Sequence, residues 1–339
     1  DGVAAAAEAL VGRLRDRLNR PISFRGQEVF LSTSFGVSLF PFDARDARAL
    51  LRHADAAMYQ TKRQAPGGCT FFSKLVSRSE EVLALTTRLR RAVESAPWVL
   101  HHQPIVDLRS GRPVGLEALV RWRQPDGALI GPSRFISLAE ESGLVSTITD
   151  WVVDELCRQL AAWRAEGMAL WGSFNLSPRD LWRGDLVERV LQSLESHGLS
   201  PDAVVAEIVE SAIMAQPETA QRTLWALHER GIRLAIDDFG TGHSSLSRLK
   251  DLPADIVKID RSFVQDISDN LGSRRIVTAM LHMVESLGMV TLAEGIESRA
   301  QCRFLADRRC ALGQGFLFSR PIQAQEVPER MRALAADAG

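Results

Sequence analysis

The sequence predicts an α/β chain: a TIM-like (β/α)8 barrel with an antiparallel first strand, preceded by a small α+β fragment. Three observations predict it. From Trp98 onward, short β-rich apolar segments alternate with helical patterns until eight strands are counted. The first two of these strands are separated only by Asp107–Pro113, a turn length, so the first must run against its neighbour. No glycine-rich turn follows an early strand, which argues against the competing doubly wound sheet.

In order along the chain, residues 4–18 have helical apolar spacing, and residues 28–31 and 33–39 read as two short strands bounded by Arg25-Gly26 and Pro41. Residues 47–63 form an amphipathic helix closed by Lys62, Arg63 and Pro66-Gly67-Gly68. A helix over 77–96, capped by Ser77 or Ser79 with Glu80 and Glu81 in its first turn, leads into the second domain. Barrel strands are expected at 99–106, 114–122, 170–175, 204–209, 232–237, 256–259, 290–293 and 315–318. Helices are expected between most of them, as at 145–166, 218–230 and 273–287, with a closing helix at 326–336. The domain boundaries read as 1–76 for the fragment, 77–96 for the linking helix and 97–339 for the barrel.

The chain has 339 residues, 45% of them hydrophobic and 24% charged. That is enough for two average domains with a large core, and it excludes a disordered chain. No apolar run approaches the roughly 18 residues that span a bilayer, and the first residues, Asp-Gly-Val, carry no signal peptide. The expected location is cytoplasmic, with membrane contact only through an upstream region. Four scattered cysteines without a C-x-x-C read as reduced thiols. The net charge of −1 hides an asymmetry. Residues 1–78 hold 12 Lys/Arg against 7 Asp/Glu, and the remainder holds 29 against 35. The basic excess lies partly on the solvated face of the first helix (Arg13, Arg15, Arg17, Arg20), which does not suggest a nucleic-acid duplex as partner.

The informative feature is polar residues in apolar strands. Glu117 lies in the second strand, Asn175 ends the third, Glu207 sits in the fourth and Asp237-Asp238 end the fifth. Lys258 sits in the sixth, Glu294 ends the seventh and Gln314 opens the eighth. An isolated buried carboxylate destabilises a fold unless it is paired or bound to metal. Strand ends of a barrel converge on one mouth, where active sites sit. Five carboxylates and an amide, with no His or Cys, form a hard oxygen site suited to Mg²⁺ or Mn²⁺. The adjacent Asp237-Asp238 pair suits a bridge between two ions, the arrangement used for in-line displacement at phosphorus. Lys258 is the lone cation, placed to hold or activate a water. Metal-assisted phosphodiester hydrolysis is the reaction class these residues support.

Glu117-Ala118-Leu119-Val120-Arg121-Trp122 resembles the signature of EAL-domain cyclic di-GMP phosphodiesterases. The matching segments continue with Phe174-Asn175-Leu176-Ser177, Ala206-Glu207-Ile208-Val209-Glu210-Ser211, and Asp237-Asp238-Phe239-Gly240-Thr241-Gly242-His243. They end with Asp255-Ile256-Val257-Lys258-Ile259-Asp260, Ala293-Glu294-Gly295-Ile296-Glu297 and Gly313-Gln314-Gly315-Phe316. The resemblance implies hydrolysis of cyclic di-GMP to the linear dinucleotide 5′-pGpG with two metal ions per site. One ion would be held by Glu117, Asn175, Glu207 and Asp237, the second by Asp237, Asp238 and Glu294. Lys258 and Glu294 would orient and deprotonate the attacking water, with Gln314 and Glu297 supporting the site. Arg121 would contact a substrate phosphate and Gln103 a guanine. The resemblance also implies that the loop from Asp238 to Leu246, with Phe239, Gly240, Thr241, Gly242 and His243 and held by Glu210, couples metal binding to homodimerisation. It departs from the family pattern at His243, commonly Tyr, and at Val209, commonly Thr.

Ser34-Phe35-Gly36-Val37-Ser38 and Ala54-Asp55-Ala56-Ala57-Met58-Tyr59 resemble the C-terminal half of a diguanylate cyclase (GGDEF) domain, but no Gly-Gly-Asp-Glu-Phe occurs in the sequence. The alternative to an enzyme is a non-catalytic cyclic di-GMP receptor or scaffold. The complete set of ligands favours the enzyme. Among the bland readings, His101 and His102 fall one inside and one outside the first strand, and Trp122 packs in the core or stacks on a base.

Overall fold

The computed structural model describes residues 2–18, 20–24, 27–29, 32–241 and 251–337. The chain divides into two compact units, residues 1–88 and 89–339.

In the first unit, the helix Gly2–Leu18 precedes an antiparallel pair, β1 (Ile22–Phe24) and β2 (Gln27–Val29). Two further strands, β3 (Phe35–Val37) and β4 (Cys69–Phe71), pair in parallel and are joined through the helix Ala47–Gln64. Asp46 caps that helix by accepting from the Ala49 amide at 2.8 Å, which satisfies one of the free amides at its start. The Thr61 hydroxyl donates to the Phe35 carbonyl at 3.1 Å and fixes the helix on its strand.

Three expectations for this unit need correction. The strands expected at 28–31 and 33–39 are only Gln27–Val29 and Phe35–Val37, and Ile22–Phe24 is a strand that the pattern did not suggest. Leu39 leaves the ladder because its amide donates to the Asp43 carboxylate at 2.6 Å. Residues 25 and 26, the expected turn, lie outside the described residues. The helix expected at 77–96 is Phe72–Ser95, so Ser77 and Ser79 lie inside it and are not its cap. Its first residue, Phe72, stacks on the His53 ring at 3.8 Å, a packing contact that no capping rule anticipates.

The second unit is a closed barrel. Its strands are β5 (Trp98–Asp107), β6 (Pro113–Arg123), β8 (Trp171–Leu176), β9 (Val204–Val209), β10 (Arg233–Phe239), β11 (Ile256–Ile259), β12 (Val290–Ala293) and β13 (Leu312–Gln314). The short β7 (Leu129–Ile130) and β14 (Ile322–Gln323) lie against β6 and β5. Strand β5 closes the ring antiparallel to both β6 and β13, while every other neighbouring pair in the ring is parallel. The turn-length gap after β5 therefore carried correct topological information. Inside the ring, Ile105, Val205, Ala235, Ile256 and Leu292 form one buried cluster. Burying each larger side chain contributes about 1.5–3 kcal/mol. Among the described residues, no helix is long and apolar enough to cross a membrane.

The eighth strand is Leu312–Gln314, not 315–318, so Gln314 ends it. Gly-Phe-Leu-Phe has β-like composition, but its backbone is engaged elsewhere. Gly315 packs against the main chain of Ile296, where any side chain would collide. The Gly315 carbonyl accepts from the amides of Phe318 and Ser319, both at 3.1 Å, which folds the segment into a turn. Trp122 is 3% exposed and packs with Trp98 and Phe135, so it belongs to the core and offers no stacking face.

The two histidines of β5 do not divide into one buried and one exposed: His101 is half-buried with its Nε2 shielded, and His102 is fully buried. His102 pairs across the ladder with Ala118 and is fully buried, edge-on to Trp163 at 5.0 Å. Neither ring nitrogen has a hydrogen-bond partner. Burial holds its pKa down to about 4, below the ordinary 6.5. The unfolded chain therefore takes up a proton that the folded chain refuses. The contribution of neutral His102 is complete above pH 6.5 and is lost as pH falls toward 4, about 3 kcal/mol in all. His102→Phe removes both the titration and the unpartnered nitrogens. The melting temperature of the variant should exceed that of the wild type by a margin that widens between pH 7 and pH 5. A margin independent of pH would contradict this account.

Candidate active site

The mouth of the barrel is built by register. Gln103 on β5 lies opposite Glu117 on β6, and Asn175 on β8 lies opposite Glu207 on β9. Glu207 in turn pairs with Ala235, two residues before Asp237 on β10. Side chains at alternate positions share a face, so these groups project to one side of their strands. Two consecutive aspartates would ordinarily point apart. Here the register of β10 against β11 shifts between Ile236 and Phe239, and Asp238 has φ +53°. Aspartate tolerates this left-handed region better than most residues. The irregularity brings carboxylate oxygens of Asp237, Asp238 and Glu294 within 4.8 Å of one another.

At the centre of the cluster is Lys258, 1% exposed. Its Nζ lies 2.6 Å from Glu207, 2.8 Å from Glu294, 3.2 Å from Asp237 and 3.7 Å from Glu117. Glu117 also accepts from Gln314 at 2.6 Å and from Asn175 at 3.2 Å. Gln314 donates further to Gln103 at 2.9 Å, and Gln103 donates to the Ser319 carbonyl at 3.0 Å. A chain of amides thus ties β5, β6 and β13 together at the rim.

The electrostatics follow from one cation facing four acids. Burial pushes the Lys258 pKa down, but Glu117, Glu207, Glu294 and Asp237 outweigh it and hold the amine well above its ordinary value. Burial would raise Glu117, yet Lys258 and the hydrogen bonds from Gln314 and Asn175 bring it below the usual carboxylate range. Glu207 goes the other way: burial, with Glu117 and Asp237 nearby, lifts it well above that range in spite of Lys258. Burial carries Glu294 up to about 7 and raises Asp238, which also faces Asp237 and Asp260. A single ammonium does not neutralise this set. The donors are all oxygens, three of them converge, and the acids repel without a counter-charge, so the residues fit a hard divalent cation.

The remaining expected residues are placed as follows. Arg121 lies two residues beyond Leu119 on β6, half-buried, with Nη1 on the Val120 carbonyl at 3.0 Å. Glu297 is exposed, and its amide donates to the Gln301 side chain at 2.8 Å. Glu210 begins the helix Glu210–Ala215 that follows β9. Phe239 is buried at the end of β10, and the Thr241 hydroxyl donates to the Asp238 carbonyl at 2.8 Å. Gly240 has φ +93°, a conformation that favours glycine. Gly242 and His243 lie outside the described residues. What sequence reasoning missed is a cavity of about 600 Å³ that opens from Glu117, Asn175, Asp237 and Asp238 and is also lined by Ser133, Ser137 and Glu140. Those three residues come from the 3-10 turn Pro132–Arg134 and the helix Ile136–Ser142, where no apolar strand makes a polar residue conspicuous.

With the geometry established, comparison with known proteins decides the family. The EAL domain profile matches residues 86–321, more than half of the chain. The chain belongs to the EAL family. Residues 2–67 match the profile described as diguanylate cyclase, GGDEF domain. The bifunctional diguanylate cyclase/cyclic di-GMP phosphodiesterase MucR of Pseudomonas aeruginosa is 39% identical over 325 residues, covering 95% of this chain and 47% of that protein. The cyclic di-GMP phosphodiesterase NbdA of the same organism is 38% identical over 334 residues, covering 98% of this chain and 43% of the relative. This EAL chain therefore spans about half the length of the curated relatives it matches. Among solved structures, the MucR phosphodiesterase in complex with c-di-GMP aligns with a TM-score of 0.69 at 39% identity, covering 72% of this chain and 99% of that one. The matched EAL region holds every member of the Lys258 cluster.

Proposed function

We propose that the barrel is a metal-dependent phosphodiesterase that hydrolyses cyclic di-GMP to linear 5′-pGpG. The observation that carries the proposal is the ring of Glu117, Glu207, Asp237 and Glu294 around Lys258, with Asp238 beside it. Glu117, Asn175, Glu207 and Asp237 would hold one Mg²⁺ or Mn²⁺, and Asp237, Asp238 and Glu294 a second. Such ions offset the charge of a phosphodiester and lower the pKa of water.

The chain's own residues have distinct tasks. Arg121 contacts a phosphate oxygen, and Gln103, fixed by Gln314 and the Ser319 carbonyl, meets a base. Glu297, itself exposed on the segment after β12, supports the rim. Lys258 Nζ, held as an ammonium 2.8 Å from Glu294 Oε1, orients the attacking water, and Glu294 takes its proton. The water oxygen bonds to phosphorus as one P–O3′ bond breaks, leaving a 5′-phosphate on one nucleotide and a 3′-hydroxyl on the other.

We extend the proposal to the whole chain. Residues 1–76 are a cyclase-like fragment without the cyclase signature, 77–96 link it to the barrel, and 97–339 carry the activity in the cytoplasm as a homodimer joined around the segment 238–246. Incubating the chain with cyclic di-GMP and Mn²⁺ and separating the nucleotides by chromatography tests the central part. The linear dinucleotide should accumulate. Tight binding with the ligand recovered intact would instead make the barrel a receptor.

A further inference from the structure

Within the cavity that opens from the carboxylate cluster, Glu140 is set apart. It is half-buried on the helix Ile136–Ser142 and lines the same 600 Å³ space as Glu117, Asn175, Asp237 and Asp238. Among the described residues, no hydrogen bond or ion pair reaches its carboxylate. Burial and then the nearby Asp180 raise its pKa, while Arg179 acts in the opposite direction. Asp180, by contrast, is engaged: one oxygen accepts from the Thr149 hydroxyl at 2.9 Å and from the Ser177 amide and hydroxyl at 3.0 and 2.8 Å. Glu140 therefore offers the cavity two acceptor oxygens and no donor. A half-buried carboxylate in that state is stabilised by a ligand that brings N–H groups to it.

We propose that Glu140 accepts the paired N1–H and N2–H donors of a guanine base and so selects guanine over adenine. The inference rests on the reading of the barrel as a cyclic di-GMP phosphodiesterase. Guanine presents adjacent donors that match the two oxygens of a carboxylate. Adenine presents a bare N1 lone pair at the equivalent edge, which a carboxylate repels. The Ser133 and Ser137 hydroxyls also line the cavity, but a hydroxyl donates or accepts as required and does not discriminate. Thr149, Ser177 and Ser211 on the same wall are hydroxyls too, so the selectivity at the base that enters this cavity is assigned to Glu140, while Gln103 lies outside it.

The test compares the full chain with Glu140→Gln and Glu140→Asp in Mn²⁺, using cyclic di-GMP, its adenine analogue cyclic di-AMP, and the base-free diester bis(4-nitrophenyl) phosphate. Glu140→Gln should raise KM for cyclic di-GMP by roughly 10–100-fold, with a much smaller change in kcat. The preference over cyclic di-AMP and the preference over the base-free diester should both narrow by a comparable factor, and Glu140→Asp should recover part of each. An unchanged KM would overturn the inference. So would a parallel loss toward all three substrates, which marks a structural role. Wild type that cleaves cyclic di-GMP while the variants behave identically refutes Glu140 alone. Wild type that binds cyclic di-GMP without cleaving it refutes the enzymatic reading, and calorimetric Kd values for the same variants then decide Glu140. Absence of binding by the wild type overturns both.

Discussion

Replacing Lys258 by methionine should lower the stability of the metal-free protein by about 3–5 kcal/mol, the range for removing one partner of a buried ion pair. Methionine matches the lysine stem as far as Cε and keeps most of its packing, so the loss reports chiefly on the charge. Four carboxylates now crowd around that ammonium. Without it they face one another in a buried site, and protonation or a bound cation becomes the remaining way to relieve them. Divalent ions should therefore stabilise the variant more than they stabilise the wild type, while turnover stays at background. Thermal unfolding with and without Mn²⁺ checks both statements. A variant as stable as the wild type in chelator would mean that the cluster is already neutral without Lys258.

Asp237→Ala should have the opposite signature. Turnover should fall by about 10²–10³-fold, the scale seen when one preorganised electrostatic group is lost from an active site. Stability in metal-free buffer should be unchanged or higher, because one of the acids sharing a single cation has been removed. Asp237 also touches Asp238, whose amide donates to it at 2.8 Å, so a small local loss opposes the gain. Thermal unfolding in chelator, beside a turnover assay in Mn²⁺, separates the two effects. A marked fall in stability without metal would contradict a cluster dominated by repulsion.

Much of the candidate site was legible in the sequence because charged groups are conspicuous in buried strands. Glu117, Glu207 and Lys258 stand out because they interrupt strands that are otherwise apolar, and a strand buried within a barrel has few reasons to carry a charge. The same reasoning placed Asn175, Asp237, Asp238 and Glu294, all near strand ends. It did not say how two adjacent aspartates share one site; the irregular register of β10 and the left-handed backbone at Asp238 do that. It misplaced the eighth strand because Gly-Phe-Leu-Phe has strand composition, whereas contact with the backbone of Ile296 and a local turn decide its conformation. It gave no sign of the cavity that Glu140 lines, because a glutamate on a helix looks like any solvated side chain. Tertiary contacts settled these cases, and local composition does not encode them.

Chelation followed by metal return, applied to one preparation of the chain, tests the central claim most directly. After treatment with EDTA, the chain should leave cyclic di-GMP intact. Adding Mn²⁺ or Mg²⁺ back in excess should restore formation of the linear dinucleotide, one phosphodiester opened per turnover. Cleavage that persists in chelator, or cyclic di-GMP that stays intact after metal is returned to a folded chain, would contradict the account.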